Sequence, residues 1–199
     1  MSNLPSDVFR ESRCRLPLVD RDDLDTEAQR IFDGVSDPRS GSLAGLQGPT
    51  GIWLHSEKLA GPALTLNRLL RTESGLGPRL TELAILVAAR EMDSQFEWTM
   101  HEPVALKAGL DPNIVDLIKY RRPTTGIADK DALVIALGRE LFGERKVSSR
   151  TYGELVRTFG HTGVVNLVAL MTNYAATAYM LTAFDQQLPP DRKGLLPTP

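Results

Sequence analysis

Apolar residues recur along this chain at helical spacing, and no stretch alternates apolar and polar positions as a half-buried strand would. The densest stretch spans residues 80–89, where only Thr81 and Glu82 are polar. A helix that is apolar on all sides is a buried helix. Pro78 suits the first turn of this helix, because a helix start needs no backbone donor there. The pattern therefore predicts an all-α protein built around this segment.

Capping residues and glycines give the bounds of the other predicted helices. Before the first helix, residues 1–23 form an extended arm, and residues 34–51 form a glycine-rich loop. A break or kink is predicted at Gly61-Pro62, and the chain ends in an extended tail after Phe184. The further predicted helices cover residues 26–32, 57–70, 96–108, 112–120, 132–142 (capped by Asp129) and 149–159 (ended by Gly160).

The segment from Gly163 to Phe184 contains no charged residue and is long enough to cross a bilayer. Asparagine, threonine and tyrosine side chains interrupt it, and no cluster of lysine and arginine flanks it. We therefore expect this helix to be buried between helices or at a subunit interface. A subunit interface would make the protein a homo-oligomer.

Composition narrows the class of protein further. A chain of 199 residues with 42% hydrophobic and 24% charged residues is typical of one soluble domain. The net charge of −2 and the lack of a basic run argue against nucleic-acid binding. Cys14 is the sole cysteine, which excludes an intrachain disulfide and a cysteine-rich metal site. The first residues lack the apolar run of a signal peptide, so a cytoplasmic protein with no membrane partner is expected.

Three residues predict acid–base chemistry. Glu97 and His101 are four positions apart, so on a helix their side chains are neighbours. Glu82 lies on the preceding apolar helix and joins them if the two helices fold back as a helix–turn–helix pair. Two carboxylates and an imidazole in apolar surroundings are the composition of an acid–base site.

Each of these residues also has a structural interpretation. Glu97 fits the capping box Ser94-x-x-Glu97, in which the glutamate bonds back to the backbone of the cap, and the spacing cannot separate the two roles. His101 could be a hydrogen-bonded core histidine. Glu97 and His101 together with His55 and His161 could form a metal site, but no recognisable ligand motif supports it, and no metal is predicted.

The segment LTELAILVAAREMDSQFEWTMHEPVALKAGL resembles the carboxymuconolactone decarboxylase family, which includes the alkylhydroperoxidase D-like proteins. The likeness covers about residues 49–189 within a single predicted domain, 1–199. In redox members of that family, a glutamate is followed by Cys-x-x-Cys and then by a histidine. In this chain Glu82 and His101 keep those positions, but Ser94 and Glu97 replace the two cysteines. Thiol peroxidase activity is therefore not expected.

The resemblance implies an alkylhydroperoxidase D-like multi-helix bundle that associates as a dimer, trimer or hexamer. It implies a carboxy-lyase-like enzyme without cofactor that acts on a small organic acid or lactone. His101 would be the main general acid–base, Glu97 its orienting partner and Glu82 a buried acid that tunes the pair. The expected substrate-binding residues are Trp53, His55, Ser94 and Trp98, although Trp98 also suits packing. The alternatives are an antioxidant protein of the peroxidase type and a non-catalytic helical oligomer.

Overall fold

The structure is a computed structural model that describes residues 4–197, and within these residues it is all-helical, with no strand. The all-α prediction is confirmed. A short 3₁₀ turn (Arg21–Asp23) precedes the first helix, and a π-helical turn (Arg139–Glu144) follows the seventh. The helices are α1 (Thr26–Ser36), α2 (Pro49–Trp53), α3 (Glu57–Thr72), α4 (Pro78–Glu91), α5 (Gln95–Lys107), α6 (Pro112–Lys119), α7 (Asp129–Gly138) and α8 (Ser149–Ala183).

Polar caps place most helix starts where the sequence predicts them. The Asp25 carboxylate accepts hydrogen bonds from two backbone N–H groups of α1, and the Asp111 carboxylate accepts one from α6. Three predictions are wrong. The Gly34–Gly51 loop contains the short helix α2. Helix α7 begins at Asp129, so that this residue is the first of the helix and not its cap, a position that Ala128 occupies. Helix α3 continues through the exposed Pro62, so the predicted break is absent, while a kink at this residue stays a prediction.

Helix α8 changes direction at Gly160, which adopts φ 65° and ψ 171°, a backbone conformation that favours glycine. The predicted helix end at this residue is therefore a break between two helical segments. By length and composition α8 could cross a membrane, but 44% of its most apolar window is buried inside the protein. The core helix of a soluble protein passes the same test, so this is weak evidence for a membrane span.

The chain forms two compact units, and the first consists of residues 4–67 and 179–193. Its small core lies around Leu24, Ala28, Leu54 and Ala60. The N-terminal arm is packed against the chain that follows α8, because the Arg15 N–H donates to the carbonyl of Phe184 over 2.8 Å. Cys14, on this arm, is buried.

The second unit consists of residues 68–178 and 194–197. Helix α4 is its centre and packs against α5, α6 and α7. Every residue of α4 from Leu80 to Arg90 is buried, as the apolar run predicts. The tail is anchored here as well, since Leu196 is buried and its backbone N–H and C=O both bond the Gln95 amide, at 2.8 and 2.6 Å. The single family domain of the sequence analysis stays a prediction.

Gly138 allows α7 to pack closely against α4. A Cβ at this position would lie 2.2 Å from Cγ1 of Val87, so that Gly138→Ala must displace a buried side chain. We expect this substitution to lower the free energy of unfolding by about 1–3 kcal/mol in chemical denaturation. Gly153→Ala is the matched control, because a Cβ there has nothing within 4 Å, and it should be neutral or stabilising. Equal effects of the two substitutions would contradict this account.

Candidate functional site

The α4–α5 pair brings together the three residues that the sequence predicts for acid–base chemistry. His101 lies between the two glutamates: its Nδ1 is 2.8 Å from Oε2 of Glu82, and its Nε2 is 3.4 Å from Oε2 of Glu97. The side chains of all three residues are at most 6% exposed. The predicted constellation is therefore assembled, inside the second unit.

Glu82 is held in its ionised form. Burial disfavours the carboxylate, but the hydrogen bond and charge of His101 and the charge of Arg71 together lower the pKa of Glu82 below its usual value. Its Oε1 accepts a hydrogen bond from Arg71 over 3.0 Å, while Oε2 faces His101. An ionised carboxylate can only accept, so Nδ1 of His101 carries the proton. Glu82, rather than Glu97, is thus the carboxylate that orients the ring.

Glu97 completes only half of the predicted capping box. Its backbone N–H donates to the Ser94 hydroxyl over 3.4 Å, but the Ser94 N–H donates to the carbonyl of Ala89 over 2.8 Å. The Glu97 carboxylate is therefore not used as a cap and faces His101 instead. Burial raises the pKa of Glu97, and this effect exceeds the opposite effects of His101 and Arg71. Glu97 thus tends to keep its proton.

Two further residues, which the sequence analysis did not identify, belong to this site. Arg71 comes from the last turn of α3 and bonds Glu82. Tyr174, on α8, packs edge-on against the His101 ring with centroids 5.2 Å apart. Neither residue stands in a motif with Glu82 or His101. The one signal was that Tyr174 stands in a long helical pattern without charged residues.

The predicted substrate-binding residues lie in different places. Ser94 caps α5 beside Glu97. Trp98 is fully buried and donates its indole N–H to Glu102, which also pairs with Lys119, so its observed contacts are those of packing. Trp53 and His55 belong to the first unit, where His55 Nε2 lies 2.9 Å from the Pro17 carbonyl. Their role in binding stays a prediction.

A cleft of about 860 Å³ lies elsewhere in the second unit, against α7 and the beginning of α8. None of the predicted site residues lines it. Its charged residues are balanced in sign, so it does not select anions or cations: Asp129, Lys130, Glu140, Arg150, Glu154 and Arg157. Among residues 4–197, no group of three or more histidine, cysteine, aspartate or glutamate side chains is placed to hold a metal.

Thiol-dependent peroxide turnover is expected to be absent. Ser94 and Glu97 replace the dithiol, and Cys14 is only 3% exposed, with its Sγ 3.5 Å from the carbonyl of Leu16. The measurement is consumption of an alkyl hydroperoxide in the presence of dithiothreitol, with Cys14→Ser as the control. The two proteins should both be at background, and turnover that disappears in Cys14→Ser would contradict the expectation.

Fold and site together define a class of protein: an all-α chain with a buried Glu–His–Glu cluster that an arginine completes. Comparisons with protein-family models, with curated proteins and with solved structures give no match to the chain.

Proposed function

We propose that this protein is a cofactor-free acid–base enzyme of the carboxymuconolactone decarboxylase type, which acts on a small organic acid or lactone. The observation that carries the proposal is the series of linked side chains Arg71–Glu82–His101–Glu97, buried except for the partly exposed Arg71, in which each carboxylate faces a different ring nitrogen. Environments that push the pKa values of two nearby carboxyl groups apart are typical of acid–base sites. Here the pKa of Glu82 is lowered and the pKa of Glu97 is raised.

The two carboxyl groups divide the work. Ionised Glu82 keeps one proton of His101 on Nδ1, so that Nε2, which faces Glu97, is the nitrogen that gains and loses a proton. Protonated Glu97 and Nε2 can then share one proton at a separation of 3.4 Å, which a bound ligand would shorten. The pair can therefore deliver a proton to a substrate atom and recover it afterwards.

A decarboxylation uses this proton in its second half. The carbon–carbon bond to the departing carboxylate breaks, carbon dioxide leaves, and the electron pair stays on the substrate as an enolate conjugated with a carbonyl group. The proton of the Glu97–His101 pair then goes to the carbanion carbon. Buried, pre-oriented donors stabilise such developing charge better than water does, because they need no reorganisation. A related lyase step would use the same residues.

The other parts of the proposal concern partners and location. Self-association into a homo-oligomer is favoured by large apolar side chains that α8 exposes, since Val165 is 66% and Tyr179 is 69% exposed. A small-molecule substrate, a cytoplasmic location and no membrane or nucleic-acid partner complete the proposal. No observation favours the antioxidant or the non-catalytic alternative.

The test is a screen of carboxylated unsaturated lactones and β,γ-unsaturated or β-keto acids for enzyme-dependent release of carbon dioxide, without added metal or cofactor. The proposal requires release that saturates with substrate and is lost when His101 is replaced. Equal release by wild type and His101→Ala would remove the proposal.

A further inference from the structure

We propose that the substrate is a carboxylate-bearing acid rather than a neutral lactone, and that Arg71 and the Tyr174 hydroxyl bind its carboxylate beside His101. This inference rests on the proposed function, because it names the class of substrate for the same site. It assigns a binding role to two residues that the sequence pattern did not indicate.

Arg71 is the part of the cluster that solvent reaches. Its side chain is 33% exposed, whereas those of Glu82, Glu97 and His101 are between 4 and 6% exposed. A ligand that approaches from water therefore meets the guanidinium before it meets the acid–base pair. Binding the ligand here would hold it at the entrance to the buried residues.

The guanidinium has donors to spare. It offers five N–H donors, and within residues 4–197 only Nη2 bonds a protein group, the Oε1 atom of Glu82. A second edge of the planar fork is thus available for a carboxylate, and paired N–H donors match carboxylate geometry in two parallel hydrogen bonds. Because the hydrogen bond to Glu82 holds one edge of the guanidinium, its other edge is already oriented, and the side chain loses little conformational freedom when a ligand binds.

Tyr174 supplies the second donor. The residue is 5% exposed, and its hydroxyl makes no hydrogen bond within residues 4–197, so the hydroxyl is available to donate to a ligand. Burial raises the pKa of Tyr174; the Arg71 charge has a smaller, lowering effect, and the charges of Glu97 and Glu82 raise the pKa further. The hydroxyl therefore stays protonated at ordinary pH and donates. Its ring packs edge-on against the His101 ring, which brings Tyr174 next to the imidazole.

The site carries no net negative charge that would oppose a bound carboxylate. Arg71 and ionised Glu82 offset each other, and protonated Glu97 adds no charge. A bound carboxylate adds one negative charge next to the sole arginine of the cluster. A neutral amide of the same shape gains nothing from the guanidinium charge, so the distinction between acid and amide measures the proposal directly.

The experiment is isothermal titration of the full-length protein with crotonate, fumarate and cis,cis-muconate, with crotonamide as the neutral counterpart. The variants are Arg71→Gln, Arg71→Lys and Tyr174→Phe. Arg79→Gln is the matched control, because Arg79 likewise pairs with a buried carboxylate, Asp131, over 2.7 Å, but it lies outside the His101 cluster. Arg79→Gln therefore reproduces the loss of a half-buried ion pair without touching the site.

We expect at least one acid to bind the wild type and crotonamide not to bind. Arg71→Gln should weaken binding by roughly tenfold to a hundredfold, as for loss of a charge-assisted hydrogen bond, and Tyr174→Phe by about fivefold. Arg71→Lys keeps the positive charge but lacks the paired N–H donors of the guanidinium, so its affinity for the acid should lie between those of the wild type and Arg71→Gln. Arg79→Gln should bind as the wild type does. If Arg71→Gln fails to fold, Arg71→Lys and Tyr174→Phe still decide the question.

The proposed binding of a carboxylate by Arg71 and Tyr174 is contradicted if no acid of the series binds saturably at millimolar concentration. It is also contradicted if crotonamide binds as well as crotonate, or if the Arg71 and Tyr174 variants bind as the wild type does. Failure of the proposed function looks different. If binding depends on Arg71 but no acid is turned over, the carboxylate-binding role of Arg71 is supported and the proposed enzymatic function is contradicted. If turnover depends on His101 but not on Arg71, the carboxylate-binding role of Arg71 is contradicted and the proposed acid–base function is not.

Discussion

Replacement of His101 by alanine is expected to lower the rate of carbon dioxide release by about a hundredfold to ten-thousandfold, while the protein stays folded. Among the described residues, the imidazole alone pairs with both carboxylates, so its loss separates ionised Glu82 from protonated Glu97. Glu82 keeps Arg71 as a partner in this variant, which limits the damage to stability. The measurement is steady-state turnover together with thermal unfolding followed by circular dichroism.

The matched control is His161→Ala, the same substitution at an exposed position of α8. It should leave turnover unchanged. Imidazole added to the buffer should restore part of the activity of His101→Ala, because it can occupy the vacated space and accept the same proton. A structural role for His101 would allow no such rescue, and absence of rescue with unchanged stability would argue against a role in proton transfer.

Glu97→Gln is expected to move activity and stability in opposite directions. Glutamine keeps the shape and the helical position of Glu97 but cannot donate an acidic proton, so the rate should fall by about a hundredfold to ten-thousandfold. The free energy of unfolding at neutral pH should rise, because the raised pKa of Glu97 means that folding disfavours its ionised form, and glutamine cannot ionise. Urea denaturation and steady-state kinetics measure the two effects.

The pH dependence of stability is a second test of the raised pKa of Glu97. Because the folded pKa of Glu97 is raised above its ordinary value of 4.5, folded and unfolded states are both protonated well below pH 4.5. Stability then falls as pH rises from the unfolded to the folded pKa, since the unfolded state ionises first. Glu97→Gln should remove this fall, so wild type and variant should differ at neutral pH and converge in acid.

Glu102→Gln is the control on the same helix. Its carboxylate bonds Trp98 and Lys119 and does not contact His101, so this substitution should lower stability and leave the rate unchanged. If Glu97→Gln behaved as Glu102→Gln does, Glu97 would be a structural residue and the acid–base pair would lose its proton donor.

Much of the helical framework is determined locally. The apolar run of α4 predicts a buried helix because no orientation of it could expose a polar face. Asp25, Ser94 and Asp111 mark helix starts because their side chains satisfy backbone donors that every helix start leaves open. The closeness of Glu97 and His101 follows from helical geometry alone. Helix α2, the continuity of α3 and the start of α7 were missed, since packing and solvent exposure overrode the local signals there.

The sequence by itself placed Glu97 and His101 on one helical face and predicted that Glu82 joins them if the two helices fold back on each other. Only the tertiary structure decided what each glutamate does. A capping glutamate and a catalytic one share the same spacing, and the distinction depends on the Ser94 N–H, which bonds Ala89 instead. Arg71 and Tyr174 come from helices far along the chain, so no local pattern could connect them to His101.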